Sequence, residues 1–566
     1  AIPVTANGKV DRKALPAPDP SLEQAAEYVP ARTDVETALA RIWADVLGVE
    51  RVGLHDNFFE LGGDSILSLQ IIARARAAGL QLSIADVFAN QSVGELAPLV
   101  RQGPANPLAE QGTVSGPVPL TPIQHWFTRQ DIADRDHWNW AGLFEVRAGT
   151  DSRVLAQAVG TLVEHHDALR LRLTRDGDLG TWRQHNAPRE DGQVFWAVDA
   201  AGLEPDRLER LVTEHMTALQ TSSGMAGGPL LRVAFFDRGD QPGWLGIIVH
   251  HLATDVLSWN VLLEDLDLAY EAIAATGTAE GALTPKTTSF KQWSETLQAF
   301  AATEQARAEL PYWIDQLEPA FAVPVDMAGA NTEATTEVVE ARLDADVTAA
   351  LLTRANRAYG TQAIELMLAA LLQALGGWAG TGRVTVDMEN HGREALEEEI
   401  DLSRTVGWFT SVFPVALSGA DLGDPGAVIS SVREQLRRTP RRGVGYGALR
   451  YLAEGGEEVL RRFRELPMPQ VGYNYRSGFD AVADDAVGLL VRELPGDLCG
   501  PSTGADQTRS HLLQIEASRT GDGEMLFEWI FSTAVHRTET IERVAARYVA
   551  ALQDLVEHCL SVRAGD

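Results

Sequence analysis

The apolar positions divide the chain into a short tail, a small helical unit and a long mixed region. From Thr33 onward they recur with helical spacing, and Thr33 and Glu36 match the capping box of a helix N-terminus. A second helix begins at Ser65 and ends near Gly79, and Ser92 opens a last short one. The pattern predicts a four-helix unit of about 80 residues, close to the lower size limit for a self-sufficient core.

Helical and strand-like stretches alternate from residue 118 onward. VLAQAVGTLVEHH is amphipathic with a helical period, whereas ALRLRLT and GWLGIIVHH have strand patterns. Residues 102–117 are rich in Gly, Pro and Ser and lack periodicity, which predicts a linker. Because no second strong linker follows, we expect the mixed region to form two packed lobes, about 118–285 and about 286–566.

Composition and charge exclude several classes of function. The 566 residues include 48 Lys and Arg against 79 Asp and Glu, a formal net charge of −31. This charge repels phosphate backbones and anionic lipid, so neither nucleic acid nor a membrane is an expected partner. Cys499 and Cys559 are too few for a disulfide framework or a Cys-rich zinc site. With no long apolar run and no signal peptide, we expect a cytoplasmic fragment of a longer protein.

Ser65 is a candidate attachment site because it opens a helix directly after Leu-Gly-Gly-Asp. One alternative is an ordinary N-cap serine. A hydroxyl at an exposed helix N-terminus can also carry a phosphate, whose charge the helix end stabilises. DNFFELGGDSI resembles the attachment motif of peptidyl carrier domains in nonribosomal peptide synthetases. The resemblance implies 4′-phosphopantetheine on Ser65, transferred from coenzyme A by a phosphopantetheinyl transferase, and Asp64 is typical of carriers that serve epimerization domains.

The N-terminal tail has a resemblance of its own. NGKVDRKALP is similar to the last motif of adenylation domains, in which a lysine contacts the adenylate, and Lys9 occupies that position. A simple polar turn is the alternative. The resemblance predicts an adenylation-domain stub at 1–19, a carrier domain at 20–101 and an upstream adenylation domain as a partner. Lys9 should be inert without the rest of such a domain.

HHLATDVLSW contains the strongest acid–base candidates. His250 and His251 end an apolar strand run, so their side chains should diverge, and Asp255 follows four residues later. A purely structural role is the alternative. We expect no metal ion, because adjacent histidines diverge and no second His-rich strand offers ligands. The sequence His165-His166-Asp167 ends a helix, and we interpret it as structural, with an imidazolium that complements the helix dipole.

HHLATDVLSW resembles the HHxxxD motif of the condensation-domain superfamily, which has a two-lobed fold like that of chloramphenicol acetyltransferase. The resemblance implies a catalytic His251, a structural Asp255 and a supporting His250. The expected fold class is therefore multidomain, with a small all-α four-helix carrier domain and a large α/β two-lobed domain.

Further segments resemble epimerization domains within this superfamily, and they predict one at 118–566. ENHGRE is similar to the motif EGHGRE, with Glu389 first and Asn390 in place of the usual Gly. RTVGWFT, PRRGVGYG and LTPIQHWF match other motifs, and GYNYRSG corresponds to the FNYLG segment, which gives Asn474 and Tyr475. Condensation domains usually have Gly after the Asp of HHxxxD, whereas this chain has Val256.

The resemblance predicts an isomerase that converts a carrier-tethered aminoacyl or peptidyl thioester from L to D at the α-carbon. Two proton-transfer groups on opposite sides of that carbon suit the reaction. We expect His251 and Glu389 to face each other across it, with burial raising the pKa of Glu389. Asn474 and Tyr475 are expected to orient the substrate or stabilise an enolate.

The implied downstream partner is a condensation domain that selects the D product. The alternative functions are an amide-bond-forming condensation domain and a catalytically silent recruitment domain of the same fold.

Overall fold

The computed structural model confirms a multidomain fold, with a helical carrier region followed by a large α/β region of mixed sheets. The described residues are 28–63, 65–102, 109–177, 180–222, 224–394, 396–397, 400–476 and 488–562. The predicted adenylation stub with Lys9, and also Asp64, lie outside them.

The described part of the carrier region contains four α-helices, as the sequence predicts. They are α1 (Asp34–Leu47), α2 (Ser65–Ala77), α3 (Ile84–Ala89) and α4 (Val93–Leu96). The capping box of α1 is present, because the Thr33 hydroxyl accepts from Glu36 N at 3.2 Å and the Glu36 carboxylate accepts from Thr33 N at 2.9 Å. In the core, the rings of Trp43 and Phe58 lie 5.1 Å apart. Strand β1 (Leu80–Gln81) pairs with β2 (Arg101–Gln102).

In the large region, the described residues form three sheets. Their strands are β3 (Gly116–Pro117), β4 (Asn139–Val146), β5 (Leu171–Arg175), β6 (Trp182–Asn186), β7 (Phe195–Asp199), β8 (Leu231–Asp237), β9 (Trp244–His250), β10 (Thr336–Leu343), β11 (Arg383–Asn390), β12 (Ser411–Ser418), β13 (Val471–Arg476), β14 (Leu490–Glu493), β15 (Leu513–Arg519) and β16 (Met525–Ser532). The sheet orders are β10-β16-β15-β13-β11-β12, β14-β4-β9-β8-β7 and β3-β6-β5.

Helices cover the faces of these sheets. They are α5 (Pro122–Arg129), α6 (Ser152–His165), α7 (Pro205–Gln220), α8 (Val256–Thr276), α9 (Phe290–Ala301), α10 (Glu304–Arg307), α11 (Leu310–Leu317), α12 (Ala345–Leu352), α13 (Asn356–Tyr359), α14 (Ala363–Ala379), α15 (Pro425–Arg437), α16 (Val444–Gly447), α17 (Glu458–Glu465) and α18 (Thr538–Ser561). Among the described residues, no single helix has the length and apolarity of a membrane span. Two neighbouring helical segments meet that criterion only when they are taken together, Ala345–Tyr359 and Ala363–Ala379. The chain is bent by 90° between them.

Segments from the C-terminal part of the sequence join the N-lobe. Strand β14, from the C-terminal part of the sequence, adds to the edge of the N-lobe sheet, where Leu490 lies opposite Val146. Helix α9 likewise places Phe290 and Trp293 in the N-lobe core. The lobe division predicted at 285/286 does not account for these crossovers, because local patterns do not reveal the partner of a long-range strand pair.

The second half of the predicted linker packs against the N-lobe. Val114 is only 3% exposed, and its N–H donates to Asp167 Oδ1 at 3.2 Å. Strand β3 then pairs with β6. Residues 103–108 of the predicted linker lie outside the described residues.

Strand alternation in the six-stranded sheet positions the candidate acid–base residue. Met388 belongs to the hydrophobic core that α14 and α18 cover, as does Tyr473 on the neighbouring strand. The strand period of two therefore directs Glu389 and Asn474 to the opposite face. That face borders the cavity described next.

Candidate active site

A cavity of about 490 Å³ lies between the carrier region, the start of α8 and the six-stranded sheet. Its size is in the range of small-molecule sites. Three parts of the chain contribute to the wall: Phe59, Gly62, Gly63 and Phe88 from the carrier, Asp255, Val256 and Leu257 from the N-lobe, and Glu389, Asn390, His391, Arg442, Asn474, Tyr475 and Arg476 from the C-lobe. The cavity therefore brings together segments that are far apart in sequence.

Glu389 is the acid–base candidate of this cavity. Burial, followed by the charges of Glu516 and Asp387, raises its pKa to about 8, while Arg476 and Gln514 act in the other direction. A carboxyl group with this pKa changes protonation state close to neutral pH, which suits general acid–base work.

Asp255 joins the two lobes through Arg393. As the N-cap of α8, its Oδ1 accepts from Ser258 N at 2.8 Å and from the Arg393 guanidinium at 2.9 Å. Its Oδ2 accepts from Phe409 N at 3.1 Å. Asp255 therefore has the contacts of a structural residue.

Arg393 was not among the site residues expected from the sequence, although it lies in ENHGRE. It is 1% exposed and also donates to the carbonyls of Leu402 and Thr405, at 2.6 and 2.7 Å. Its guanidinium carbon lies 4.1 Å from the centre of the Phe409 ring. Arg393 also donates to Ser258 Oγ at 2.8 Å, and because its contacts with Asp255 and Ser258 reach the N-lobe while the others stay within the C-lobe, Arg393 links the two motifs.

The side chains of His250 and His251 have different surroundings. His250 is the last residue of β9, and His251 follows directly after it. His250 is fully buried, and its Nε2 donates to the Arg135 carbonyl at 2.8 Å while its Nδ1 accepts from Leu252 N at 3.0 Å. Burial lowers its pKa to about 4, which makes it a neutral support at pH 7.

His251 lies between two indole rings on the N-lobe side. Its ring centre is 5.7 Å from that of Trp140 and 4.3 Å from that of Trp408. Burial lowers the pKa of His251, while backbone groups and Asp255 oppose that effect. His251 is not among the residues that line the cavity, so its position opposite Glu389 stays a prediction.

Asn474 and Tyr475 lie on the cavity wall with Glu389. The Asn474 amide donates to Glu516 Oε2 at 3.0 Å, which ties the FNYLG-like segment to the next strand. The sequence reasoning missed Glu516. Its position opposite Asn474 follows from the parallel pairing of β13 with β15, which no motif indicates.

Asn390 replaces a glycine of the family motif without backbone strain. Among the described residues, Arg441 and Arg442 are the non-glycine residues with positive φ, at 43° and 48°. Asn390 Oδ1 accepts from His391 N at 2.8 Å, and its amide donates to the Arg442 carbonyl at 3.4 Å. Gly392 differs, because it has a φ of 64° and a Cβ there would overlap the Phe409 carbonyl.

The carrier region contacts the C-lobe around the cavity. Glu60 forms an ion pair with Arg357 at 2.9 Å, and the Arg442 guanidinium lies 3.7 Å from the centre of the Phe88 ring. On another side, Arg76 of α2 forms an ion pair with the buried Asp401. These contacts hold the loop before α2 at the cavity.

The start of α2 fits a phosphate-linked prosthetic group. Its first turn contains no acidic residue, so the positive end of the helix dipole is available to an anion. Gly62 has a φ of 92°, and a Cβ on Gly63 would lie 2.5 Å from the Phe58 ring. The two glycines thus permit the turn of this loop and its close packing on Phe58, and Ser65 is the first residue of the helix that follows.

His165 and His166 belong to a structural cluster away from this cavity. Burial lowers the pKa of His165 to about 4, so His165 does not provide the imidazolium expected at this helix end. His166 Nε2 lies 2.9 Å from Asp265, whose carboxylate also pairs with Arg404 at 2.6 Å. The ligand atoms of His165, His166 and Asp265 lie close enough together to hold a metal ion, but the Asp265 carboxylate is already paired with Arg404.

Comparison with known proteins identifies the family. A model for the condensation domain matches residues 114–564, and one for the phosphopantetheine attachment site matches 37–100. The chain belongs to the condensation-domain family. The chain is a fragment of a nonribosomal peptide synthetase module. In it, a carrier domain that takes covalent 4′-phosphopantetheine precedes a condensation-family domain.

The curated relatives are much longer than this chain. A linear gramicidin synthase of Brevibacillus parabrevis is 41% identical over 573 residues, which cover 100% of this chain and 11% of that protein. Tyrocidine synthase 1 of Brevibacillus parabrevis is 34% identical, and the match covers 99% of this chain and 51% of the relative. The chain thus spans only part of these proteins.

Solved structures support the same family. The epimerization domain from the third module of tyrocidine synthetase B is 32% identical, with a TM-score of 0.71, and the match covers 80% of this chain and 100% of that one. The X-domain from teicoplanin biosynthesis is 20% identical with a TM-score of 0.60, over 78% of this chain and 95% of that one. The second similarity concerns the fold alone.

Proposed function

We propose that the condensation-family domain epimerizes the α-carbon of an aminoacyl or peptidyl thioester carried on Ser65. The observation that carries this proposal is a partly buried carboxyl group, Glu389, with a pKa of about 8 in a cavity that the carrier region borders. The similarity to a solved epimerization domain supports it.

Each residue has a role in this scheme. Glu389 exchanges a proton with the α-carbon from the C-lobe side, and His251, neutral at pH 7, does so from the N-lobe side. His250 and Asp255 hold the HHxxxD segment in place through the hydrogen bonds described above. Asn474 and Tyr475 orient the substrate from the cavity wall. When bound, the 4′-phosphopantetheine group supplies a flexible thiol that carries the substrate as a thioester.

The reaction also implies other partners. A phosphopantetheinyl transferase loads Ser65 from coenzyme A, and an upstream adenylation domain supplies the activated residue. A downstream condensation domain that accepts the D form would draw the product onward.

The test is chiral analysis of the released substrate together with isotope exchange. The chain, loaded with an L-aminoacyl or L-peptidyl thioester in deuterated water, should release a mixture of L and D forms with deuterium at the α-carbon. Amide product formed from donor and acceptor carriers, with the chirality unchanged, would instead identify a condensation domain. Unchanged substrate without deuterium would identify a silent recruitment domain.

Charge reversal at the carrier contact should slow turnover of the tethered substrate. Glu60→Arg places a cation against Arg357, and because this pair is largely exposed we expect a decrease of about two- to five-fold, greatest at low salt. Adding Arg357→Glu should restore the rate. Adding Arg354→Glu, an equivalent charge change at an exposed neighbour, should not. Equal rates in all four proteins at low salt would contradict the observed docking contact.

A further inference from the structure

A row of acidic residues crosses the six-stranded sheet on the cavity face. In the register of the strands, Asn474 lies opposite Glu516, Glu516 opposite Glu528, and Glu528 opposite Glu340. Asn474 borders the same cavity as Glu389. Directly opposed residues on one sheet face are close neighbours, so like charges there require compensation.

Arg476 provides that compensation for the two middle carboxylates. Its guanidinium lies 3.4 Å from Glu516 and 3.0 Å from Glu528. Glu516 also accepts hydrogen bonds from the Gln514 amide at 2.8 Å and from the Asn474 amide at 3.0 Å. One cation and two amide donors therefore hold the Glu516 carboxylate in one position and favour its charged form, against burial, which raises the pKa of Glu516.

Within the described ranges, no comparable set of donors surrounds Glu389, and it faces several charged groups. Glu516 and Asp387 disfavour its negative charge, whereas Arg476 and a hydrogen bond from Gln514 favour it. Asp387 is itself bound to His511 Nε2 at 3.1 Å. The other titratable groups that line the cavity wall are Asp255, Glu365, His391, Arg437, Arg442 and Tyr475.

We propose that Glu516 is a positioning residue that sets the proton affinity of Glu389. Burial is the largest influence on the pKa of Glu389, and negative charge on Glu516 adds to it, so that the protonated and ionised forms of Glu389 are both accessible near neutral pH. Arg476 limits this effect, because it neutralises part of the Glu516 charge. The inference rests on the proposed function, but the interaction between the two carboxyl groups that it describes can be measured without activity.

The test measures the ionisation of Glu389 in two ways. The first is the pH profile of α-hydrogen exchange, and the second is the pH dependence of Glu389 modification by a carbodiimide, quantified by peptide mass spectrometry. The second readout reports the protonated carboxyl group directly and needs no activity. Absence of exchange in the wild type would therefore defeat the proposed function and still leave the inference testable.

Glu516→Gln should move both profiles to lower pH by about one unit or more, the size of coupling typical of carboxyl pairs. Arg476→Gln should move them in the opposite direction, because it removes a cation near Glu389. General loss of structure cannot produce shifts of opposite sign. Glu528→Gln is the matched control: its carboxylate is 29% exposed and lies one strand further away, so it should cause a much smaller shift.

Unchanged profiles in Glu516→Gln would overturn the proposal, and so would shifts of the same sign in the Glu516 and Arg476 variants. If Glu516→Gln fails to fold, Glu516→Ala takes its place: a shift of both profiles to lower pH supports the proposal, and no shift or a shift to higher pH overturns it.

Discussion

In the Glu389→Gln variant, α-hydrogen exchange of the tethered substrate falls by a factor of at least about 10², the lower end of what a positioned acid–base group contributes. The amide keeps the size and polarity of the side chain, but it cannot take up or release a proton. The measurement is the rate at which the α-carbon takes up deuterium from deuterated water, determined by mass spectrometry.

Two comparisons make this result specific. Glu340→Gln changes an exposed carboxylate at the far edge of the same sheet face and should leave exchange unaltered. His251→Ala should lower exchange by a similar factor, because the reaction needs a proton-transfer group on each side of the α-carbon. Full exchange in either active-site variant would refute the assignment of that residue.

The second large effect is expected for Ser65→Ala, which should abolish attachment of the prosthetic group and, with it, all turnover of carrier-bound substrate. The hydroxyl that forms the phosphodiester bond is absent from this variant. Intact-mass spectrometry after incubation with coenzyme A and a phosphopantetheinyl transferase provides the measurement.

Ser83→Ala is the matched control for this variant. Ser83 is the N-cap of α3, where its hydroxyl accepts from Asp86 N at 3.1 Å. Its removal should cost about 1 kcal/mol of stability, yet the protein should still be loaded. A normal mass increase in Ser65→Ala would show that Ser65 is an ordinary cap.

Local patterns predicted the carrier region well. The capping box at Thr33 and Glu36 and the helix that begins at Ser65 are both present. Such features depend on neighbours three or four residues away, and the sequence displays those neighbours directly. The crossover of β14 to the N-lobe sheet was not predictable in this way, because its partner strand, β4, lies far away in sequence.

The sequence by itself determined the family resemblance and the residues that can do the chemistry, because attachment and proton transfer each require a particular functional group in a short motif. Tertiary structure alone decided which groups meet. Arg393 reaches Asp255 across 138 residues, and Glu516 comes opposite Asn474 only through strand pairing. The pKa of Glu389 depends on burial and on charges from neighbouring strands, which exist only once the sheet has formed.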